Sequence, residues 1–259
     1  MSATRYFDSI GEVLDRIRST QLEKLEQAGE LCAATMAGGG RVYLFGSGHS
    51  VIPVMDVFPR YGSFVGFYPL YDPRLMWSNV VGPNGARELL WIERREGYVA
   101  QFLQSYPMGS GDVLIVFSHG GLNAAPIEAA LYARDRGAKV VSVSSLENAR
   151  AAARTHSSGK ALSEVAEIAI DNCVAPEDAQ VDIGRREKIG AGSTIAAVSI
   201  AMALVAETGA RLAASGHDLT TFVSPNVEGV EKDHNFRVFD EYARRWFQRA
   251  PDPVAGTRR

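Results

Sequence analysis

Two glycine-serine loops and a handful of histidines and carboxylates are the parts of this 259-residue chain best suited to chemistry. The first loop is Gly46-Ser-Gly-His-Ser50 and the second is Ser118-His-Gly-Gly-Leu-Asn123. Each follows an apolar run, Val42–Phe45 or Val113–Phe117, and each opens a helical pattern. Small residues at such a junction let several backbone N–H groups converge on an anion at the positive end of the helix dipole. Gly46, Gly48, Gly120 and Gly121 permit tight turns, while Ser47, Ser50, Ser118 and Asn123 add side-chain donors. Taken singly, either loop is equally well read as a plain structural turn. Two of them after comparable strands place a site at the carboxyl edge of a parallel sheet, for a small phosphorylated or otherwise anionic ligand. Neither loop ends in Gly-Lys-Ser/Thr and neither has the full Gly-x-Gly-x-x-Gly spacing, which argues against a nucleotide cofactor. A third strand end carries Ser142, Ser144 and Ser145, where capping of the next helix competes with ligand contact.

Strands alternating with helices are needed to position these loops. Ile10, Val13, Leu14, Ile17, Leu22, Leu25, Ala28, Leu31 and Ala34 recur at three- and four-residue steps. The first forty residues therefore read as one helical segment, stopped by Gly38-Gly-Gly40. After strand Val42–Phe45 comes a helix from about Ser50, interrupted near Pro53 and Pro59. Further strands are expected at Ser63–Tyr68, Val113–Phe117, Lys139–Val143 and Ile168–Asp171. Helices are expected at Arg87–Tyr106, Asn123–Arg136, from about Leu146, and at Gly192–Ala214, the last apolar nearly all round and suited to burial or a subunit contact. Pro69–Gly85, rich in Pro, Asn, Asp and Gly, reads as a functional loop or lid. The pattern predicts an α/β fold, a parallel sheet with helices on both faces, in a single domain over residues 1–248 with a flexible tail at 249–259.

The composition narrows the partners. Hydrophobic residues make up 46% and charged residues 22%, an ordinary soluble balance, and the net charge of −3 leaves no footprint for nucleic acid or an anionic membrane. Cys32 and Cys173 sit among apolar residues and read as buried free thiols, which suits a reducing cytoplasm. The amino terminus lacks an apolar secretory segment, and no uninterrupted apolar run approaches the roughly 18–20 residues that span a bilayer. No Cys or His pair shows ligand spacing, so neither a metal nor a cofactor is expected.

Three strand ends reading Gly-Ser-Gly-His-Ser, Phe-Ser-His-Gly-Gly-Leu-Asn and Val-Ser-Val-Ser-Ser-Leu resemble the sugar isomerase (SIS) fold, which binds phosphosugars. The resemblance runs from about residue 5 to residue 240. It looks nearest to the bacterial SIS proteins assigned only as phosphosugar isomerases, through Ile92-Glu-Arg-Arg-Glu-Gly-Tyr98, His156-Ser-Ser-Gly-Lys160, Ile170-Asp-Asn-Cys173 and Phe222-Val-Ser-Pro-Asn-Val227, followed by Asp233-His-Asn235. It implies a three-layer α-β-α sandwich around a five-stranded parallel sheet, with a long helical segment before it and a helix after it. The family's phosphate loop usually reads Ser-x-Ser-Gly-x-Thr/Ser. This chain keeps Ser118 but has Gly120 and Asn123 in place of hydroxyl residues, which leaves more of the grip to backbone amides or to Ser50, Ser144, Ser145 or the pair Ser193-Thr194. Helix capping alone would also account for that pair.

Members of that family remove the C2 proton of an opened sugar and then reprotonate at C1 or expel the C3 substituent. Either course needs a base near C2 and an acid for the departing or carbonyl oxygen. The candidates are Glu93, His49, His119, His234 and Asp56. The matching Glu93-Arg-Arg-Glu-Gly-Tyr98 segment implies Glu93 as the base; the alternative is an exposed helix carboxylate paired with Arg94 or Arg95. His49 lies inside the first loop and suits ligand contact or proton transfer. Asp56 falls where several SIS enzymes carry an acid or histidine, and equally where a solvated helix aspartate would lie. His234 lies in a late segment that often completes a neighbouring subunit's site, or is a solvated loop histidine. The resemblance therefore implies a phosphosugar enzyme, a homodimer or homotetramer. Loss of the C3 group from an amino-sugar 6-phosphate (a dehydratase or lyase) leads, ahead of aldose–ketose isomerisation and of a non-catalytic phosphosugar-binding regulator.

Overall fold

The computed structural model describes residues 1–77 and 85–248. Two amino-terminal helices, α1 (Ser2–Thr20) and α2 (Leu22–Ala37), replace the single expected segment. The break falls at Gln21, whose side-chain oxygen accepts a hydrogen bond from the Asp171 N–H instead of lying along a continuous helix. Strand β1 (Val42–Gly46) leads through a short turn into α3 (Val51–Val57), and β2 (Phe67–Pro69) follows. Pro53 does not interrupt α3, because it sits in the first turn, where its missing N–H has no helical acceptor to serve. The expected helix at Arg87–Tyr106 is two helices, α4 (Ala86–Ile92) and α5 (Tyr98–Leu103), parted where Gly97 adopts φ 90°.

Strand β3 (Val113–Phe117), helix α6 (Ala124–Asp135), strand β4 (Lys139–Ser144), the short helices α7 (Leu146–Ala151) and α8 (Leu162–Val165), and strand β5 (Ile168–Asp171) complete the alternation. A small antiparallel pair, β6 (Ala179–Val181) and β7 (Ile189–Ala191), was not foreseen. Helix α9 (Ser193–Ala214) and helix α10 (His234–Phe247) close the chain. The five main strands form one parallel sheet in the order β2-β1-β3-β4-β5.

The strands are apolar on both faces because both are covered. Val42 and Leu44 of β1, with Val113, Ile115 and Phe117 of β3, pack under α2, α3 and α9. Their alternates Tyr43, Phe45, Leu114 and Val116 pack under α4, α5, α6 and α8. Helix α9 is long and apolar enough on average to cross a bilayer, although Ser199 and Glu207 interrupt its apolar runs. Its Ile200, Ala201, Leu204 and Val205 are nevertheless buried in the first of these cores, so the fold uses it as a core helix. Cys32 is buried as expected, whereas Cys173 is only half-buried. Both thiols are free. Part of the expected lid and all of the expected tail, residues 78–84 and 249–259, lie outside the described residues.

Candidate active site

Parallel strands bring the two glycine-serine loops side by side, since Gly46 of β1 pairs with Phe117 of β3 at the carboxyl edge. A side chain at Gly46 is impossible: its Cβ would stand 2.1 Å from the Ser50 carbonyl oxygen, where the chain doubles back. That close return sets Ser47 at the rim. Its hydroxyl donates to a Glu93 carboxylate oxygen at 3.1 Å. Glu93 is the residue that ends α4, and its backbone carbonyl accepts from the Ala125 N–H at 2.9 Å, joining it to the first turn of α6. Glu93 thus links the first loop, through its carboxylate, to the start of α6, through its backbone.

Glu93 is 7% exposed, so it is not an exposed helix carboxylate. Burial pushes its pKa up, and the Ser47 hydroxyl and the Arg94 guanidinium 3.5 Å away only partly offset this. A carboxylate so placed is a stronger base than one in water. The segment after it is pinned at each step. Glu96 accepts from the backbone and hydroxyl of Ser157, the Gly97 and Val99 N–H groups donate to Glu128, and the Tyr98 hydroxyl donates to Asp72.

The second loop turns its carbonyls away from the site. Gly120, Gly121 and Leu122 each lend an oxygen, to the Asn148 amide, the Leu162 N–H and the Thr155 hydroxyl respectively. Among the described residues, the N–H groups of Gly120, Leu122 and Asn123 have no protein acceptor, and the Asn123 side chain makes no cap to α6. Gly121 holds φ 65°, which a side chain would strain, and its N–H donates to the Ser118 hydroxyl. The result is a set of unengaged donors at the start of a twelve-residue helix, an anion cradle.

A small cavity of about 20 Å³ lies next to the cradle, bordered by His49, Ser50, Ser118, His119, Asn172, Ser193 and Thr194 among others. The His119 Nε2 is buried and has no partner, as is the Ser144 hydroxyl behind Gly121. Asn172, absent from the residues singled out by sequence, contacts His119 Nδ1 at 3.1 Å. Its neighbourhood, Ile170-Asp-Asn-Cys173, was the signal that could have drawn attention to it. His49 packs against Trp77 with ring centroids 4.8 Å apart and ring planes tilted by 46°.

Other candidates sit elsewhere or are engaged. Ser145 caps α7, accepting from the Asn148 N–H and donating to the Val174 carbonyl. The Ser193 hydroxyl and the N–H groups of Gly192 and Ser193 all bind the Asp178 carboxylate. Asp56 pairs with Arg60 at 2.6 Å, and His234, the first residue of α10, holds the Thr221 carbonyl through Nε2 at 2.8 Å. Neither joins the Glu93–Ser47 group. A larger cavity, about 550 Å³ and bordered by Gly40, Arg41, Tyr68 and Arg245, opens at the amino end of β1, the opposite end of the strand from both loops. Among the described residues no group of three metal-binding side chains comes together.

A parallel sheet with two glycine-serine loops side by side at its carboxyl edge is an architecture in which α/β proteins hold small ligands. The SIS domain model matches residues 5–145, and the chain belongs to the SIS domain family. Along nearly its whole length it is similar to bacterial UPF0309 proteins. A UPF0309 protein of Halalkalibacterium halodurans is 32% identical over 243 residues, covering 93% of this chain and 95% of the relative. One of Brucella anthropi is 36% identical over 228 residues, covering 87% and 90%. Among solved structures, a phosphoheptose isomerase from Francisella tularensis superposes with a TM-score of 0.54 at 15% identity, covering 80% of this chain and 96% of that one. The phosphoheptose isomerase GmhA from Neisseria gonorrhoeae does so with 0.51 at 15% identity, covering 80% and 97%. These likenesses support the fold.

Proposed function

We propose that the chain binds a sugar phosphate in the cradle formed by Ser118–Asn123 and takes the C2 proton of the opened sugar with Glu93. The observation that carries this reading is the buried Glu93 carboxylate, hydrogen-bonded to Ser47 of the first loop, on a residue whose backbone holds the start of α6. The base alone contributes a rate factor of about 10²–10⁴. Donors aimed at the developing enediolate oxygen supply the next share.

The enediolate then loses its C3 substituent, with an amino-sugar 6-phosphate such as N-acetylglucosamine 6-phosphate as the proposed substrate. Elimination needs an acid at the C3 oxygen, and His49, in the same loop as Ser47 and held against Trp77, is the group assigned to it. Aldose–ketose isomerisation is the second reading, favoured by the activity named for the two phosphoheptose isomerases of similar fold. A homodimer or homotetramer in a reducing, cytoplasmic setting belongs to the same proposal. Its free cysteines fit that setting, and sedimentation of the purified chain tests the assembly.

Incubation with a panel of sugar 6-phosphates, followed by mass spectrometry, decides between the reactions. Loss of one water with new near-ultraviolet absorbance establishes elimination, and unchanged mass with a new isomer establishes isomerisation. Tight binding of one sugar phosphate with no product from any would refute the enzyme and leave a regulator.

A further inference from the structure

We infer that Asn172 holds His119 as a neutral imidazole carrying its proton on Nε2, and that this N–H is the donor for the sugar's carbonyl oxygen as it becomes an enediolate. The role rests on the deprotonation proposed above; the tautomer does not.

The orientation of Asn172 follows from its own hydrogen bonds. The residue is 2% exposed and sits in a tight turn at the end of β5, where Cys173 adopts φ 57°. Its backbone N–H donates to the Ser144 carbonyl at 3.0 Å. Its side-chain oxygen accepts from the Val174 N–H at 3.0 Å, so the amide NH₂ must be the end facing His119 Nδ1 at 3.1 Å. An NH₂ group only donates, so Nδ1 is an acceptor and the neutral ring bears its hydrogen on Nε2. Protonating Nδ1 as well would set two donors against each other in a buried place.

Nε2 is buried with no protein partner, and an unpaired buried donor is expensive. His119 borders the cavity of about 20 Å³, shared with Ser50, Ser118, Ser193 and Thr194. That volume admits about one oxygen-sized group and no sugar ring. The groups facing His119 there are hydroxyls, the His49 ring and the Asn172 amide, with no carboxylate or cationic side chain among the cavity's bordering residues. A neutral donor in such a pocket suits an oxygen that gains negative charge during the reaction. The pocket is bordered by the start of α9, on the sheet face opposite α6, whereas the unengaged amides of Leu122 and Asn123 lead into α6. The phosphate and the reacting oxygen therefore have separate donors. Asn172 is a positioning residue, acting through His119.

The test uses nitrogen-labelled protein and long-range proton–nitrogen spectra of the histidine rings, with the His119 signals identified by their loss in His119→Gln. The wild type is expected to show the Nε2-protonated pattern. Asn172→Asp, which presents a carboxylate oxygen to Nδ1, is expected to convert His119 to an Nδ1-protonated ring. An Nδ1-protonated or imidazolium pattern in the wild type would overturn the assignment. Titration then separates the donor's target. A sugar-phosphate hydroxamate, which mimics the enediolate, should move the His119 Nε2 proton downfield, and inorganic phosphate should not. An equal shift with inorganic phosphate, or none with the hydroxamate, would overturn the role. With a turned-over substrate, Asn172→Asp should lower kcat by about 10²–10³-fold with little change in KM. His119→Gln, which keeps an amide donor, should lose less. If the wild type turns over no sugar phosphate, the deprotonation reading falls, while the spectra and the hydroxamate titration still decide the state and target of His119.

Discussion

Replacing Glu93 by Gln changes charge with little change in shape, and its consequences for rate and stability have opposite signs. The Gln carbonyl can still accept the Ser47 hydroxyl hydrogen bond that the carboxylate accepts at 3.1 Å. What disappears is the base, so kcat should fall by about 10²–10⁴-fold while sugar-phosphate affinity stays within about threefold. The fold should become more stable. Burial raises the Glu93 pKa, so the folded state binds that proton more tightly than the unfolded chain does. Stability attributable to Glu93 is therefore greatest at low pH and is lost as pH rises through the raised value. At pH 7–8 the ionised carboxylate is a net cost, and removing it should return about 1 kcal/mol, or about 2–4 °C in Tm for a domain of this size. Losing the Arg94 partner offsets little, since that side chain is 55% exposed and its attraction is screened. Scanning calorimetry at pH 5 and pH 8 reads the effect, with the gain present at pH 8 and shrinking towards pH 5. Wild-type turnover in the variant, or a lowered Tm at pH 8, would refute the assignment of Glu93 as a desolvated base. The wild-type rate should fall on the acid side, with a limb above the ordinary carboxylate range.

Ser47→Ala removes a donor that favours the ionised form of Glu93, so the acid limb of the pH–rate profile should move to higher pH; a limb that stays put would detach Ser47 from the base. Gly46→Ala sets a methyl 2.1 Å from the Ser50 carbonyl oxygen, and the protein should be recovered mostly insoluble or with a sharply lowered Tm. Asp178→Ala strips the carboxylate that binds Gly192 and Ser193 at the start of α9, and urea unfolding should show a loss of about 1–2 kcal/mol.

The sheet was readable because its strands are short apolar runs ended by glycine and serine. Val113–Phe117 and Ile168–Asp171 fall where the pattern places them, and Lys139–Ser144 differs by one residue. The errors share a cause, which is that distant groups decide local geometry. Gln21 breaks the first helix because its side chain reaches the edge strand β5, 150 residues away. The helix at Arg87–Tyr106 splits because Gly97 takes a left-handed turn whose N–H is met by Glu128, on α6. The β6–β7 pair is three residues a side, with β7 exposed, so it carries no strong alternation. Within the candidate site, loop chemistry was legible and convergence was not. Nothing local in Glu93-Arg-Arg-Glu distinguishes a buried base from a surface ion pair. The distinction arises only when α4 ends against Ser47 and Ala125. Asn172 and His119 lie 53 residues apart and meet only across the sheet edge.

The helix termini also favour one end of the proposed site for the phosphate. Helix α5 is capped by Glu128, α7 by Ser145, α8 by Glu164 and α9 by Asp178, each supplying an oxygen from the protein itself. Helix α6 has the Glu93 carbonyl on its Ala125 N–H but no side-chain acceptor, although Asn123 at its N-cap carries an amide able to provide one, and the Leu122 and Asn123 N–H groups stay unengaged. An anion arriving at α9 would have to displace Asp178, whereas one arriving at α6 meets donors that are already oriented and unengaged. Asn123→Asp exploits the difference. A carboxylate there favours the helix dipole and should stabilise the fold by about 0.5 kcal/mol. The same charge would stand within about 4–5 Å of an incoming phosphate, where repulsion at an effective dielectric near 20 reaches about 3–4 kcal/mol. Even half of that weakens sugar-phosphate binding more than tenfold. A variant with raised Tm and at least tenfold weaker binding by calorimetric titration is the expected result. Unchanged affinity would remove the phosphate from α6.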